Sequence, residues 1–516
     1  HGDSRARPSF RFHELVKTPM RVTEAFLALT TTAALAYDAL PPHLRGGSVH
    51  TFLTNSLTYS GLQSQHVLTA QYLDLPLDHN DPAGPTWQLK FFVEDTYFRA
   101  GGSLLVKMPS EGPTTGCGSG EVAMALKAAV VCSQHRFFGD SVPNNDSSTQ
   151  ALTKYMSVEQ NLADVAALIE FLRAGSFAAA TATVVQGGSY AGASSAWMRQ
   201  AYPALVDAAI AQSPPVTAKM AFPEYDVSLL VALSSPDSRC ATTQARVADA
   251  LTSLLEERPE ELMDLFGAAE FATAAMGVVD FAYALGDSVA AAVQYGSKKL
   301  LCDALSPEYS VTKDARGGAR GLGDERSGDD RWHLATVFAN YTLDAWGPDY
   351  FAACFYNSTC MRDATSSSVA ESARSWYFLK CTELGYLQTA PSEGLSSRPR
   401  QLSLERLMEQ CAFIFGADAP LLTEAKVAAF NAKHGGGSLG GVEQIMEINY
   451  SDDPWKMAAT AVTVQRESWP LSLDQPFMML TCDGCAHCGS GVSPEKVSGI
   501  TEQVVAALAE WGQRLH

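Results

Sequence analysis

Three short segments of this chain carry side chains that could together form a nucleophilic hydrolytic site. The first is a strand-like run, Ala182 to Val185, that stops at two glycines and continues through Ser189 into a small-residue helix. At such a tight strand-to-helix turn, only small neighbours allow the serine to hold its hydroxyl clear of the sheet. The segment is close to the pattern G-x-S-x-G, with Ala191 in place of the last glycine. We predict that Ser189 is a nucleophile.

A serine nucleophile needs a base that accepts its proton and an acid that orients that base. In α/β-hydrolases these follow in the order Ser, Asp, His, each on a loop after a strand. The strand-like run Ile445 to Ile448 leads to Asp452 and Asp453, and the run Phe477 to Leu480 leads to His487. The sequence therefore supplies a base and two candidate acids in the required order.

Composition and charge limit the class of protein. The 516 residues are 46% hydrophobic and 18% charged, as in ordinary soluble globular proteins. A net charge of -19 argues against nucleic acid as a partner, because phosphate backbones need a basic surface. We expect neither a cofactor nor a catalytic metal; a homodimer stays open.

The first 36 residues resemble a targeting segment. Met20-Arg21 is followed by an uncharged run, Ala25 to Ala36, that ends in Ala-Leu-Ala. A basic start, a short apolar run and an Ala-x-Ala cleavage site predict a secretory signal peptide. The apolar run is too short to span a bilayer. We therefore expect a secreted, lysosomal or vacuolar protein without a membrane span.

Cysteines and sequons fit an exported protein. Most of the 11 cysteines should pair, in a connectivity that spacing does not give, and the odd count leaves at least one free. Asn145, Asn340 and Asn357 lie in glycosylation sequons, whereas the sequon at Asn449 should be buried beside the chemistry.

Strand and helix patterns alternate over the first half of the chain and indicate a parallel α/β sheet. After Pro214-Pro215 the patterns become helical, and strand patterns return near residue 444. We predict an α/β-hydrolase fold with a large helical cap inserted between the nucleophile half and the Asp/His half. The expected parts are an extension and signal peptide (1–36), the first hydrolase part (37–213), the cap (214–424) and the second hydrolase part (425–516). The expected helices are 158–173, 241–267, 271–295, 366–381, 402–415 and 502–515, with a glycine-rich loop at 314–330.

Several motifs resemble the prolyl carboxypeptidase family of serine peptidases, from about residue 70 to the end. The residues that carry the resemblance are 77–80 (LDHN), 134–143 (QHRFFGDSVP), 155–164 (YMSVEQNLAD), 187–203, 381–385 (CTELG) and 449–455 (NYSDDPW). The form Ala486-His487-Cys488 is most similar to the thymus-specific serine protease branch. The chain departs from the family pattern at Gln134, Tyr450 and Asp452.

The resemblance implies a Ser189, Asp453 and His487 triad, with Asp453 favoured over Asp452 because it precedes Pro454-Trp455 as in the family. It also implies peptide substrates and an exopeptidase that cleaves near proline, with the cap limiting access to the site. The general mechanism places the oxyanion against backbone N–H groups, for which we expect Tyr190 and Gly112.

Three other interpretations stay open from the sequence. An esterase or lipase of the same fold would use the same triad. A non-catalytic binding protein could keep the fold without the activity. Finally, Cys482, Cys485, His487 and Cys488 have ligand-like spacing for zinc, although an exported chain favours disulfides.

Overall fold

An eight-stranded sheet forms the centre of the protein in the computed structural model, which describes residues 68–118, 120–306, 330–365, 369–416, 418–460 and 477–514. The strand order is β1-β2-β4-β3-β5-β6-β9-β10. The strands are β1 Gln71–Pro76, β2 Thr86–Glu94, β3 Ser103–Lys107, β4 Ala129–Ser133, β5 Ala182–Gly188, β6 Ala208–Gln212, β9 Ile445–Tyr450 and β10 Phe477–Leu480.

Six of these strands, from β4 to β10, run parallel, while β1 and β2 pair antiparallel at one edge. The central parallel strands are almost fully buried, as expected where helices cover both faces of a sheet. Since β5, β9 and β10 are parallel, the loops that follow them lie at the same edge. This topology places Ser189, Asp453 and His487 after strand ends at one edge of the sheet despite their separation in the chain, and it confirms the predicted α/β-hydrolase fold.

Helices pack on the sheet where the sequence has apolar residues at helical spacing. The predicted helix 158–173 is Val158–Ala174, and the Ser157 hydroxyl caps its start by accepting from the Gln160 N–H. The C-terminal helix begins earlier than expected, at Pro494. The helices of the sheet layers are α1 Glu121–Ala125, α2 Thr149–Tyr155, α3 Val158–Ala174, α4 Tyr190–Ala201, α14 Glu424–His434 and α15 Pro494–Arg514.

The segment between β6 and α14 is mainly helical, as predicted. The expected helix 241–267 is two helices, because Pro259 begins a new helix directly after Arg258. A strand pair, β7 Lys219–Ala221 with β8 Gly385–Leu387, adds a small parallel sheet that the sequence did not indicate. The helices are α5 Pro223–Leu233, α6 Ser238–Glu257, α7 Pro259–Leu265, α8 Gly277–Gln294, α9 Lys298–Leu305, α10 Asp330–Trp346, α11 Ser358–Asp363, α12 Val369–Leu379 and α13 Leu404–Phe415.

Ten cysteines form five disulfides, and Cys488 is free and buried. The pairs are Cys117–Cys132, Cys240–Cys302, Cys354–Cys360, Cys381–Cys411 and Cys482–Cys485. The predicted signal peptide and most of the loop 314–330 lie outside the described residues. Of the helices that the structure describes, none has the length and hydropathy that crossing a membrane requires.

Candidate active site

Ser189 occupies the turn between β5 and α4 in a backbone conformation that few residues other than glycine adopt. Its φ is 58° and its ψ is −130°, and its N–H donates to the Gln212 carbonyl at 2.9 Å. Such strained conformations occur mainly at functional sites. The side chain is partly exposed, so the hydroxyl is available to a substrate.

Two glycines explain how this turn forms without the last glycine of the usual pattern. A Cβ on Gly187 would lie 2.2 Å from the Ala191 carbonyl oxygen, and one on Gly192 would lie 2.6 Å from that of Gln212. The close approaches therefore fall at positions 187 and 192. Ala191, by contrast, is buried with its methyl group accommodated.

His487 and Asp453 are in direct contact. His487 Nδ1 lies 2.8 Å from Asp453 Oδ2, and both side chains are buried. Asp453 is fixed in turn, because its Oδ1 accepts the Trp455 N–H at 2.9 Å. The N–H of Cys488 donates to Ser213 Oγ at 2.9 Å and anchors the loop that carries the imidazole. Asp453 is therefore placed to orient the imidazole of His487.

The second imidazole nitrogen has no partner. His487 Nε2 is buried and makes no hydrogen bond with any of the described residues, so Ser189 and His487 are not hydrogen-bonded. Buried polar atoms are rarely left unpaired, and catalytic hydrogen bonds are often long before substrate binds. Nε2 is thus available to accept a proton.

Opposing effects act on the pKa of His487. Burial alone would lower it, but the Asp453 carboxylate and the neighbouring Cys488 outweigh burial and raise the pKa well above its usual value. Glu111 is a further acidic neighbour: the loss of water around its carboxylate raises its pKa to about 7, partly offset by His487. The sequence analysis had named only the neighbouring Gly112, for its backbone N–H.

Asp452, the other candidate acid, faces a different partner. Its Oδ2 lies 2.7 Å from Lys298 Nζ and accepts the Gly484 N–H at 2.8 Å. Lys298 also contacts Asp483 at 2.6 Å and donates to the Ala232 carbonyl at 3.0 Å. Of the two candidate acids, only Asp453 therefore contacts the imidazole of His487.

The two expected oxyanion donors lie on different elements, Tyr190 at the start of α4 and Gly112 in the loop after β3. As the first residue of α4, Tyr190 has a backbone N–H without a partner inside the helix. Gly112 belongs to a loop fixed by Gln134, whose Nε2 donates to the Gly112 carbonyl at 2.8 Å and whose Oε1 accepts the Thr114 N–H at 2.5 Å. A glutamate at position 134 could not make that donation when ionised, so the departure at Gln134 has a structural role.

A cavity opens beside Ser189, lined by residues from the sheet edge and from the cap. Its wall is largely aromatic and includes Tyr283, Tyr295, Phe355, Trp376 and Trp455. Three charged residues, Glu111, Asp287 and Lys380, also line it. The sequence analysis did not single out the last two, although Asp287 is conspicuous as an acid within the apolar helix α8.

The zinc interpretation conflicts with the loop's covalent structure. Cys482 and Cys485 are bonded to each other, so they offer no thiolate ligands. Asn449 is fully buried, as expected, whereas Asn145 is exposed.

Comparison with known proteins identifies the class. The family model described as "Serine carboxypeptidase S28" matches residues 75–489. A probable serine protease of Arabidopsis thaliana is 27% identical over 479 residues, covering 90% of this chain and 87% of that protein. The thymus-specific serine protease of Mus musculus is 26% identical, covering 90% of this chain and 91% of that protein.

The lysosomal Pro-X carboxypeptidase of Homo sapiens is 34% identical over 202 residues, 37% of this chain and 40% of that protein. Among solved structures, one described as "Lipase (Open form)" is 12% identical, covers 86% of this chain and 99% of that chain, and has a TM-score of 0.32. The fold and the family matches define a serine peptidase of the α/β-hydrolase class. The chain belongs to the S28 family of serine carboxypeptidases.

Proposed function

We propose that the chain hydrolyses peptide bonds through a triad of Ser189, Asp453 and His487 and acts as an exopeptidase with a preference near proline. The observation that carries this proposal is the contact of 2.8 Å between His487 Nδ1 and buried Asp453 Oδ2, with Nε2 unpaired. Ser189, on the strained turn after β5, lines the adjoining cavity.

The steps follow from these positions. His487 Nε2 accepts the Ser189 proton as Oγ attacks the scissile carbonyl, and Asp453 stabilises the imidazolium that forms. The tetrahedral oxyanion is bound by the backbone N–H groups of Tyr190 and Gly112, each worth about a hundredfold in rate. The imidazolium then protonates the leaving amine, which departs and leaves an acyl group on Ser189. Water, deprotonated by His487, hydrolyses this acyl-enzyme.

The cavity supports action near a chain end. Cap residues such as Tyr283, Asp287 and Phe355 line the cavity together with Ser189. A long folded substrate would have to pass between the cap and the sheet, whereas a peptide end can enter. The preference near proline is supported by the aromatic wall, on which a proline ring can pack, and by the similarity to a Pro-X carboxypeptidase.

The proposed location is secreted, lysosomal or vacuolar. The five disulfides support it, because such bonds persist in oxidising compartments. Some relatives bear matching names, including a probable extracellular serine carboxypeptidase of Arthroderma benhamiae.

A peptide library read by mass spectrometry tests the reaction and its specificity together. Purified wild type should release short fragments from one end, more readily where proline flanks the bond, and Ser189→Ala should release none. A parallel panel of p-nitrophenyl esters distinguishes the competing activity. Efficient ester hydrolysis without cleavage of any peptide would instead indicate an esterase.

A further inference from the structure

The cap side of the cavity carries two charged side chains that the proposed mechanism does not use. Asp287 lies on α8, on the same helix face as Ala291 and Gln294, and Lys380 lies directly after α12. No ion pair within 4.0 Å joins either of them to another described residue. Charges in such a largely aromatic cavity need a partner, since burying an unpaired charge is costly.

Asp287 offers one carboxylate oxygen to the cavity. The Tyr356 hydroxyl donates to Oδ2 at 2.7 Å, while Oδ1 accepts no hydrogen bond from any residue that the structure describes. Burial raises the pKa of Asp287, and this is opposed by the Tyr356 hydrogen bond and by the positive charges of Arg398 and Lys380. The pKa stays above its usual value, and Oδ1 is left open to a cationic group, which would favour the ionised carboxylate.

Lys380, in contrast, is already engaged. Its Nζ donates to the Tyr283 hydroxyl at 3.1 Å and lies 5.2 and 5.0 Å from the ring centroids of Tyr283 and Tyr377. The Tyr283 hydroxyl in turn donates to Gln388 Oε1 at 2.5 Å. Only 2% of Lys380 is exposed. Burial lowers the pKa of Lys380 to about 7, opposed by Asp287, and its Nζ already donates to Tyr283.

We propose that Asp287 binds the free α-amino group of a peptide whose scissile carbonyl lies at Ser189, so that the enzyme removes short units from the N-terminus. This inference rests on the proposed function and narrows it to one end of the substrate. A substrate carboxylate in the same place would be repelled by the carboxylate of Asp287. An ammonium group would instead pair with Oδ1 and pack on the aromatic wall, which favours cations.

The helix gives a scale for the released unit. At 1.5 Å per residue, Asp287 lies about 10 Å along α8 from Gln294. Gln294 lies at the end of α8 that faces the catalytic residues. Its Oε1 accepts from Trp455 Nε1 at 3.0 Å, and the centroid of the Trp455 ring lies 6.2 Å from that of the His487 ring. An extended peptide spans about 3.5 Å per residue. The distance fits a unit of two or three residues.

The test compares four forms of one pentapeptide: unmodified, N-acetylated, C-amidated and N-acetylated with an internal lysine. Mass spectrometry identifies the products from wild type, from Asp287→Asn and from Asp249→Asn, a control that removes an exposed acid of α6. We expect di- or tripeptides from the N-terminus. Acetylation should lower kcat/KM about 10- to 100-fold, since a charge-assisted hydrogen bond is lost, and amidation should have little effect. Asp287→Asn should cause a similar loss for the unmodified peptide, mainly in KM, and none for the acetylated one.

A binding measurement keeps the proposal testable if Asp287→Asn fails to fold. Calorimetric titration of Ser189→Ala with alanyl-alanine and with its N-acetyl form should show at least 10-fold weaker binding of the acetylated dipeptide. Equal binding of the two would overturn the role of the α-amino group.

Three other outcomes would also overturn the proposal. Release of C-terminal residues that amidation abolishes would reverse the direction and leave the peptidase intact. Cleavage of the acetylated lysine peptide that depends on Asp287 would assign the acid to a side-chain ammonium. Wild type that neither cleaves peptides nor reacts with a fluorophosphonate would end the proposed function, and this inference with it.

Discussion

Lys298 Nζ lies 2.7 Å from Oδ2 of Asp452, so the first of two adjacent aspartates is bonded to the cap. The second, Asp453, contacts His487. Because Lys298 begins α9, this ion pair links the cap to the loop that carries the proposed acid. Two neighbouring carboxylates thus have separate roles, one structural and one proposed as catalytic.

Substitution of the two aspartates should separate these roles. Asp453→Asn should lower kcat about 10⁴-fold while the fold is retained, because the imidazole loses its orienting acid. Asp452→Asn should reduce stability more than turnover per folded molecule. Steady-state kinetics with thermal unfolding measures both effects. Equal kinetic losses in the two variants would contradict the assignment of Asp453.

Lys298→Met should destabilise the protein by about 3 kcal/mol, since removing one partner of a buried pair leaves Asp452 uncompensated. Lys299→Met is a matched control, because Lys299 is 83% exposed and pairs with Asp303 at the surface. We expect the control to change the free energy of unfolding by less than about 1 kcal/mol. Chemical denaturation measures both values, and equal effects would show that the cap link contributes little.

The pH profile should follow the raised pKa of His487. The base must be neutral to accept the Ser189 proton, so kcat/KM should rise with pH through an inflection above 6.5. Glu111→Gln removes an acid that favours the imidazolium, so it should move this inflection to lower pH. An unchanged inflection would show that Glu111 does not act on the base.

The nucleophile turn should tolerate glycine at position 191 but not alanine at position 187. A Cβ on Gly187 would meet the Ala191 carbonyl oxygen at 2.2 Å, so Gly187→Ala should displace Ser189 and abolish activity. Ala191→Gly restores the usual glycine spacing and should keep most of the activity. Measured activity in both variants checks this, and a fully active Gly187→Ala would contradict the described turn.

The sequence could predict the sheet and the order of the three site residues, because buried parallel strands and the small residues around Ser189 leave local patterns. It could not decide by spacing between Asp452 and Asp453. That choice depends on Lys298, which arrives from a helix more than 150 residues earlier in the chain.

The sequence also could not predict which charged residues line the cavity. Asp287 and Lys380 lie on separate elements of the cap, and only tertiary packing brings them to one wall. The break at Pro259 was readable in principle, whereas the β7–β8 pair was not, since each strand has only three residues.

Labelling with a fluorophosphonate, followed by peptide mapping, tests the proposed triad most directly. The account predicts one adduct, on Ser189, formed in parallel with the loss of peptide hydrolysis. Ser189→Ala should show neither labelling nor hydrolysis, and Asp453→Asn should be labelled far more slowly. Folded wild type that stays unlabelled, or hydrolysis that persists in Ser189→Ala, would contradict it.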